Sequence, residues 1–339
     1  MKKHLISKEG NFYKANLHCH STCSDGHKTP EEIKEIYKEK GYSIVAYTDH
    51  DILISHDYLN DNDFLALHGF EMEINEEKEA PFIQKKTCHI CFIAIEPENL
   101  IQSFWNRKVN HFIGDVGPYL SQVKFDANEP DYFREYSHEC ISDIMTKARE
   151  KGFFVTYNHP TWSLEDYSNY MGYSGMNAME MFNGTSLSCG YDEYNSRVYD
   201  DILRSGRKIF CIGADDNHNE YEGRRCDSGW AYTVIKADSL DYCDVTKALV
   251  NGNFYASTGP EIYELWFEDG MVHIKCSDAD KITCVFQWRA AGIYVSIDDV
   301  PLNEGAFGIR PEYGYFRIIV VDKKGRRACT NAYFPEDVF

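Results

Sequence analysis

Between residues 11 and 214 short apolar runs alternate with polar stretches of helical period, and this alternation restricts the fold more than any other feature of the chain. The runs are YKANLHCH (13–20), YSIVAYT (42–48), CHICFIAI (88–95), GFFVTYN (152–158), AMEMFN (178–183) and KIFCIGA (208–214). Repeated strand–helix alternation predicts an α/β domain with parallel strands. The first unit is the clearest. Thr29 reads as an N-cap, Pro30 sits in the first turn and Glu32 stands three residues after the cap, which is the pattern of a capping box. Ile33, Ile36 and Tyr37 form the expected buried stripe, and Gly41 ends the helix. Further helices are expected near 141–151 and 195–205.

After Gly259-Pro260 the pattern changes to short alternating runs: IYELWFE, MVHIKCS, ITCVFQW, GIYVSI, YFRIIVVD and RACTNAYF. Separated by Gly, Asp, Asn and Lys turns, they predict a small antiparallel β-domain. The expected organisation is therefore an α/β domain over 1–260 and a β-sandwich-like domain over 261–339. The stretch at about 100–140 is aromatic and weakly periodic, and reads as an insertion or lid over a cleft.

Composition narrows the function classes. At 43% hydrophobic residues the 339-residue chain has enough apolar material for a sizeable core. Its net charge of −19 would repel a phosphate backbone, so extended nucleic acid is an unfavoured partner. A small anionic substrate remains compatible if cations sit in the site. Residues 1–13 contain no hydrophobic signal region, and no run approaches the ~18 apolar residues of a membrane helix; a soluble, cytoplasmic protein is expected. The twelve cysteines are scattered through apolar runs, as reduced and mostly buried thiols would be. Oligomeric state is not legible.

The chemistry lies in the histidines. His18 and His20 are two apart on a predicted strand, so both project from one face. Asp25 follows in the turn STCSDG. The next strand ends in Thr48-Asp49-His50-Asp51, Glu71 lies in HGFEMEI, and His89 interrupts an apolar run. His159 closes a strand as Asn158-His159-Pro160, and Asp216 and His218 follow KIFCIGA. Six of thirteen histidines thus fall at or near strand ends beside turn residues or carboxylates. Catalytic groups of barrel-like α/β folds converge from such strand ends, and mixed His and carboxylate donors suit Zn, Mn or Fe.

Each residue alone has a bland explanation. A single strand-end histidine such as His89 is more often a hydrogen-bonded core residue, Asp25 and Asp51 are ordinary turn or cap residues, and Glu71 alone reads as a surface carboxylate. Cys88-x-x-Cys91 places its sulfurs on opposite strand faces, and Cys19 points away from His18 and His20. There is no GxGxxG, Walker A or GxSxG pattern, so nucleotide-cofactor enzymes, kinases and serine hydrolases lack support.

Taken in order, NLHCHSTCSDG, AYTDHD, GFEMEI, CHICFIA, YNHP and GADDNH resemble the successive metal-binding motifs of the polymerase-and-histidinol-phosphatase (PHP) family. With MEMFNG (179–184) and NFYASTGPEI (253–262), the chain looks most like the carbaryl-hydrolase-like branch of that family. The resemblance implies a distorted (β/α)7 barrel with two or three divalent ions at the strand C-termini. Members are chiefly phosphoesterases, with some hydrolases of other esters. By motif, His18 and His20 would hold one metal and Glu71 would bridge to a second shared with His89 and His159. Asp25 and His50 would serve a third, and Asp216 and His218 would complete the set. Where members commonly carry a single Asp before x-His, this chain has Asp215-Asp216-Asn217-His218; spacing favours Asp216 as ligand and leaves Asp215 to support it.

The expected reaction is hydrolysis of a small phosphate mono- or diester, such as a nucleotide or sugar phosphate, by a hydroxide shared between adjacent cations. His50 or Asp49 is the candidate proton donor to the leaving group. A guanidinium fork is the expected extra contact for phosphate, and Arg197, Arg224 and Arg225 are the candidates. Two alternatives stay open: a metal-dependent hydrolase of a carboxylic or carbamate ester, and a non-catalytic, metal-containing binding protein.

Overall fold

The computed structural model describes residues 2–109, 111–221, 223 and 226–339. Strand β1 (Lys3–Ile6) is followed by β2 (Asn11–Asn16), helix α1 (Pro30–Glu39), β3 (Ile44–Tyr47), β4 (Leu65–Asn75) and β5 (Thr87–Ala94). Then come α2 (His138–Glu150), β6 (Phe153–Tyr157), α3 (Tyr167–Tyr170), β7 (Ala178–Asn183), α4 (Gly184–Ser188), α5 (Ser196–Arg204) and β8 (Phe210–Ala214). Helix α1 starts as its sequence dictates: the Thr29 side chain accepts the Glu32 N–H and the Glu32 carboxylate accepts the Thr29 N–H, a closure worth about 1 kcal/mol. Ile33 and Tyr37 are fully buried while Ile36 is half-buried, and Gly41 takes a φ of 75° just past the end.

Strands β2 to β8 lie side by side in chain order, but the alternation is less regular than expected. The pairs β2–β3, β3–β4, β6–β7 and β7–β8 are parallel, whereas β4–β5 and β5–β6 are antiparallel. No helix separates β4 from β5 or β3 from β4; a 3-10 turn, Asp57–Leu59, stands in the latter connection. The physical reason is that β5 is buried along its whole length, and a strand covered on both faces carries no sequence mark of its direction. The two ends of this run approach each other. Past β2 and β8, Cys19 bridges Asn217 in parallel; the His20 N–H donates to Asn217 O at 3.1 Å and the Asp216 N–H to His18 O at 2.9 Å.

Strand β9 (Tyr232–Ala237) pairs antiparallel with β2, and β10 (Phe254–Ser257) pairs with β9 across α6 (Tyr242–Val250). Gly213 allows β9 to pass close to β8, because a Cβ there would stand 2.7 Å from Tyr232 O. The remaining strands are β11 (Ile262–Glu268), β12 (Met271–Ala279), β13 (Lys281–Phe286), β14 (Ala291–Val295), β15 (Leu302–Gly308), β16 (Phe316–Val321) and β17 (Arg327–Thr330), before the short α7 (Pro335–Val338). All their pairings are antiparallel. Strands β13, β14, β16 and β17 extend the large sheet through β10, while β11, β12 and β15 make a second sheet whose fourth member is β1. The strict burial alternation of β13 is that of a strand with one wet face, and the facing layers enclose Leu265, Ile274, Ile282, Ile318 and Val320. A buried ion pair ties this layer to α5: Arg317 donates to both oxygens of Asp200, at 2.9 and 2.8 Å.

Among the described residues of 100–137 there is one 3-10 turn, Leu120–Gln122. Arg134 anchors the segment by donating to both oxygens of Asp51, at 2.9 Å to Oδ2. Gly114, with a φ of 76°, lies so close to the turn carrying Asp25 that a Cβ would meet Ser24 O. Among the described residues no helix is long and apolar enough to cross a membrane, and all twelve cysteines are unpaired.

Candidate metal centre

The nine residues singled out as metal ligands come together. His18 and His20 follow β2, His50 follows β3, Glu71 lies within β4, His159 follows β6, and Asp216 and His218 follow β8. His89 is the third residue of β5; because that strand runs antiparallel, its beginning lies beside the ends of its neighbours. His18 Nε2 is 3.1 Å from His20 Nε2, from Glu71 Oε1 and from Asp216 Oδ1. His20 Nε2 is 3.3 Å from Glu71 Oε2, and its Nδ1 is 3.5 Å from Asp25 Oδ1. His89 Nδ1 and His50 Nδ1 approach Glu71 at 3.1 and 3.4 Å. His159 Nε2 lies 3.6 Å from Glu71 and 3.7 Å from Asp216, and His218 Nε2 lies 3.5 Å from Asp25.

These side chains form three overlapping groups with donor atoms in mutual reach: His20, Asp25, His50 and His218; His18, His20, Glu71 and Asp216; and His50, Glu71 and His89. Their hydrogen bonding is incomplete. His20 Nδ1, His50 Nδ1, His89 Nε2 and Glu71 Oε2 are buried without a hydrogen-bond partner, a situation that costs about 1–3 kcal/mol per group and that divalent cations would relieve. The donor set, imidazole plus carboxylate, fits Zn, Mn or Fe. Backbone geometry adds to the case: His159 and Asp216 have φ of 25° and 54°, in the left-handed region where non-glycine residues are held by their surroundings and tend to mark functional sites.

The electrostatics follow from crowding carboxylates among imidazoles. Burial opposes ionisation of Glu71, yet His18, His89 and His50 hold its carboxyl well below the usual range; Asp216 and Asp25 are lowered by their histidine neighbours in the same way. Burial likewise opposes charge on His18, but Asp216, Glu71 and Glu180 raise it well above an ordinary imidazole. Glu71 and Glu73 bring His89 up to about 10 against the same penalty. His50 is the exception, pushed down to about 3 by burial, so it stays neutral and presents a lone pair. The site demands positive charge, and bound cations would replace the imidazolium protons in supplying it.

Several expectations need correction. Asp49 is not at the cavity: its carboxylate accepts the Ser21 N–H, the Ser21 hydroxyl and the Ser24 hydroxyl at 2.7–2.8 Å, and so pins the turn that carries Asp25. Arg197 lies on the outer face of α5 with 80% of its side chain exposed, paired with Asp201, and touches nothing in the site. Arg224 and Arg225 lie outside the described residues. Asp215 does not face the ligands; it accepts the N–H groups of Gly229, Trp230 and Ala231 and the Tyr37 hydroxyl.

Two supporting carboxylates were missed. Glu180 on β7 is fully buried; it accepts His18 Nδ1–H at 2.8 Å and the His159 N–H at 2.9 Å, which fixes the tautomer that turns His18 Nε2 toward Glu71 and Asp216. Its signal was a carboxylate inside the apolar run AMEMFN. Glu73 stands 3.3 Å from His89 Nε2, two residues after Glu71 on the same strand face. The ligands open into a cavity of about 430 Å3 whose other walls include Phe82, Ile113 and Trp162.

No protein-family model and no curated protein matches the chain. Among solved structures, it is similar to a two-domain protein from Bacteroides vulgatus containing a predicted PHP-like metal-dependent phosphoesterase, at 16% identity over 98% of this chain and 97% of that one, with a TM-score of 0.45. It is also similar to a protein from Bifidobacterium adolescentis proposed to be a metal-dependent phosphoesterase (17% identity, 61% and 88% of the two chains, TM-score 0.37). A third is an amidohydrolase from Chromobacterium violaceum with bound sulfate and no metal (16% identity, 71% and 96%, TM-score 0.40). At these TM-scores the likenesses carry nothing about activity; the side-chain cluster does.

Proposed function

We propose that the chain is a metal-dependent hydrolase of PHP type, with the seven strands β2–β8 acting as its barrel, and that it cleaves a small phosphate ester. The observation that carries this reading is the three overlapping donor groups sharing His20, His50 and Glu71, in which four buried polar atoms lack a well-aligned hydrogen bond. Divalent ions held there would supply a water ionised near neutral pH and neutralise charge building on the ester oxygen.

The chain's own residues do the rest. His18, His20, Glu71 and Asp216 would hold one ion; His50 and His89 would meet Glu71 at a second, and Asp25 and His218 would meet His20 and His50 at a third. Glu180 orients His18 and, through the His159 N–H, the backbone of the β6–β7 loop. Asn158 donates to Glu71 Oε1 at 3.0 Å, so the shared carboxylate is held in one rotamer. Phe82, Trp162 and Ile113 screen part of the cavity from water. A carboxylic or carbamate ester would meet the same ligands, and the absence of lysine or arginine among the described residues lining the cavity favours keeping that second reading.

The test is elemental analysis of the purified protein together with hydrolysis of p-nitrophenyl phosphate, bis-p-nitrophenyl phosphate and p-nitrophenyl acetate, before and after chelation and with Mn, Zn or Fe restored. Two or three ions per chain and metal-dependent phosphate-ester turnover are expected. Turnover of the acetate alone would move the assignment to the second reading, and a protein that binds no metal would end both.

A further inference from the structure

One wall of the cavity is unused by the ligand cluster. Phe82 lies on the 3-10 turn Phe82–Gln84 between β4 and β5, and Trp162 lies on the loop after β6. Their ring centroids are 6.4 Å apart at 53°, and both line the cavity with Ile113. Trp162 stands edge-on to His89 and His159, at 5.5 and 5.1 Å between centroids, so this corner begins directly beside the ligands.

Neither ring serves the core: both lie outside the buried apolar clusters, and Phe82 is 48% exposed. Trp162 is nonetheless held in place, since the N–H groups of Thr161 and Trp162 donate to the buried Glu193 carboxylate at 3.1 and 2.9 Å. An apolar ring kept in water beside a cavity, facing a second ring whose loop is pinned, reads as a binding surface. Two rings tilted in this way offer a third ring both offset and edge-to-face contacts. Charge at this end is already negative, with Glu73 Oε2 3.3 Å from His89.

Taking the hydrolase reading as given, we propose that Phe82, Trp162 and Ile113 form a subsite for a flat, uncharged ring attached to the scissile ester, which makes aryl- or heteroaryl-bearing esters the preferred substrates over small aliphatic ones. Contacts remote from the reacting bond raise kcat/KM by holding the ester in place.

The experiment compares benzyl and ethyl members of three ester classes: phosphate monoester, methyl phosphate diester and acetate. Their leaving alcohols are close in acidity, so intrinsic reactivity is matched. The metal-loaded protein is expected to favour benzyl by at least about tenfold in kcat/KM, as apolar pockets do. The benzyl-to-ethyl ratio should fall toward one in Phe82→Ala, whose exposed position makes folding safe, and in Trp162→Leu. Benzyl and ethyl esters turned over alike, or a preference that survives both substitutions, would overturn the subsite and leave the hydrolase standing. A loaded protein that cleaves no member of any class would overturn the hydrolase reading and the subsite with it.

Discussion

Replacing Glu180 by glutamine is expected to weaken divalent-ion binding by about 10–100-fold, or about 1.4–2.8 kcal/mol. The magnitude follows from the geometry. Glu180 uses one oxygen for His18 Nδ1–H and the other for the His159 N–H, and Asn183 also donates to it at 2.9 Å. An amide offers a single acceptor. If its oxygen faces His18, its NH2 meets the His159 N–H, donor against donor. If it is flipped, the NH2 faces His18 Nδ1, the ring proton moves to Nε2, and the lone pair that should face Glu71 and Asp216 is lost. In the first arrangement a fully buried donor loses its partner, a penalty of about 1–3 kcal/mol; in the second the cost is the metal-facing lone pair itself. Competition against a chromophoric chelator reads the affinity, and circular dichroism confirms that the fold is retained. Affinity and kcat/KM both within about threefold of wild type in a folded variant would refute the claim that this carboxylate sets the His18 tautomer.

Three further outcomes follow from the structure. Arg197→Ala should leave kcat/KM for bis-p-nitrophenyl phosphate within about twofold and stability within about 0.5 kcal/mol, because the side chain is 80% exposed and bonds only Asp201; a tenfold loss would return it to the site. Asp49→Asn should cost about 1–3 kcal/mol in urea unfolding, since one acceptor oxygen cannot serve all the Ser21 and Ser24 donors; a stability within about 0.5 kcal/mol of wild type would refute the pinning role. Glu165 is buried beneath the hydroxyls of Tyr136, Tyr157 and Tyr173, and burial raises its carboxyl from 4.5 to about 7. Its contribution to stability is thus fully present below pH 4.5 and is lost as pH rises through 7, on the order of 3 kcal/mol. Glu165→Gln should flatten that part of the stability–pH curve, and parallel curves for the two proteins would show that folding does not shift the Glu165 carboxyl.

The site was more legible than the scaffold around it. Histidines and acids in polar turns after apolar runs mark strand ends that carry chemistry, and all nine gather around Glu71, Asp216 and Asp25. The capping box of α1 was equally readable, because Thr29, Pro30 and Glu32 act on their own backbone. The direction of β5 was not readable, since Cys88, Ile90 and Phe92 are buried whichever way the strand runs. Glu180 could have been found as an acid inside an apolar strand, but its partners, His18 and His159, are set only by folding. For Arg197 helical period already favours a surface position: it lies about 200° around α5 from the buried Tyr199 and so faces away from the sheet.

The pairing of β1 with β11, Lys3 opposite Phe267, sets an order on assembly. At about 5–20 residues per second, β1 leaves the ribosome on the order of ten to fifty seconds before its partner strand exists. Contacts between segments so distant along the chain are slow to form. Ile6, buried in the completed layer, therefore waits in solvent while the strands bearing the metal ligands are already made. Protection of Lys3–Ile6 during synthesis should accordingly wait until β11 has emerged, which makes this strand a clock for completion of the C-terminal layer.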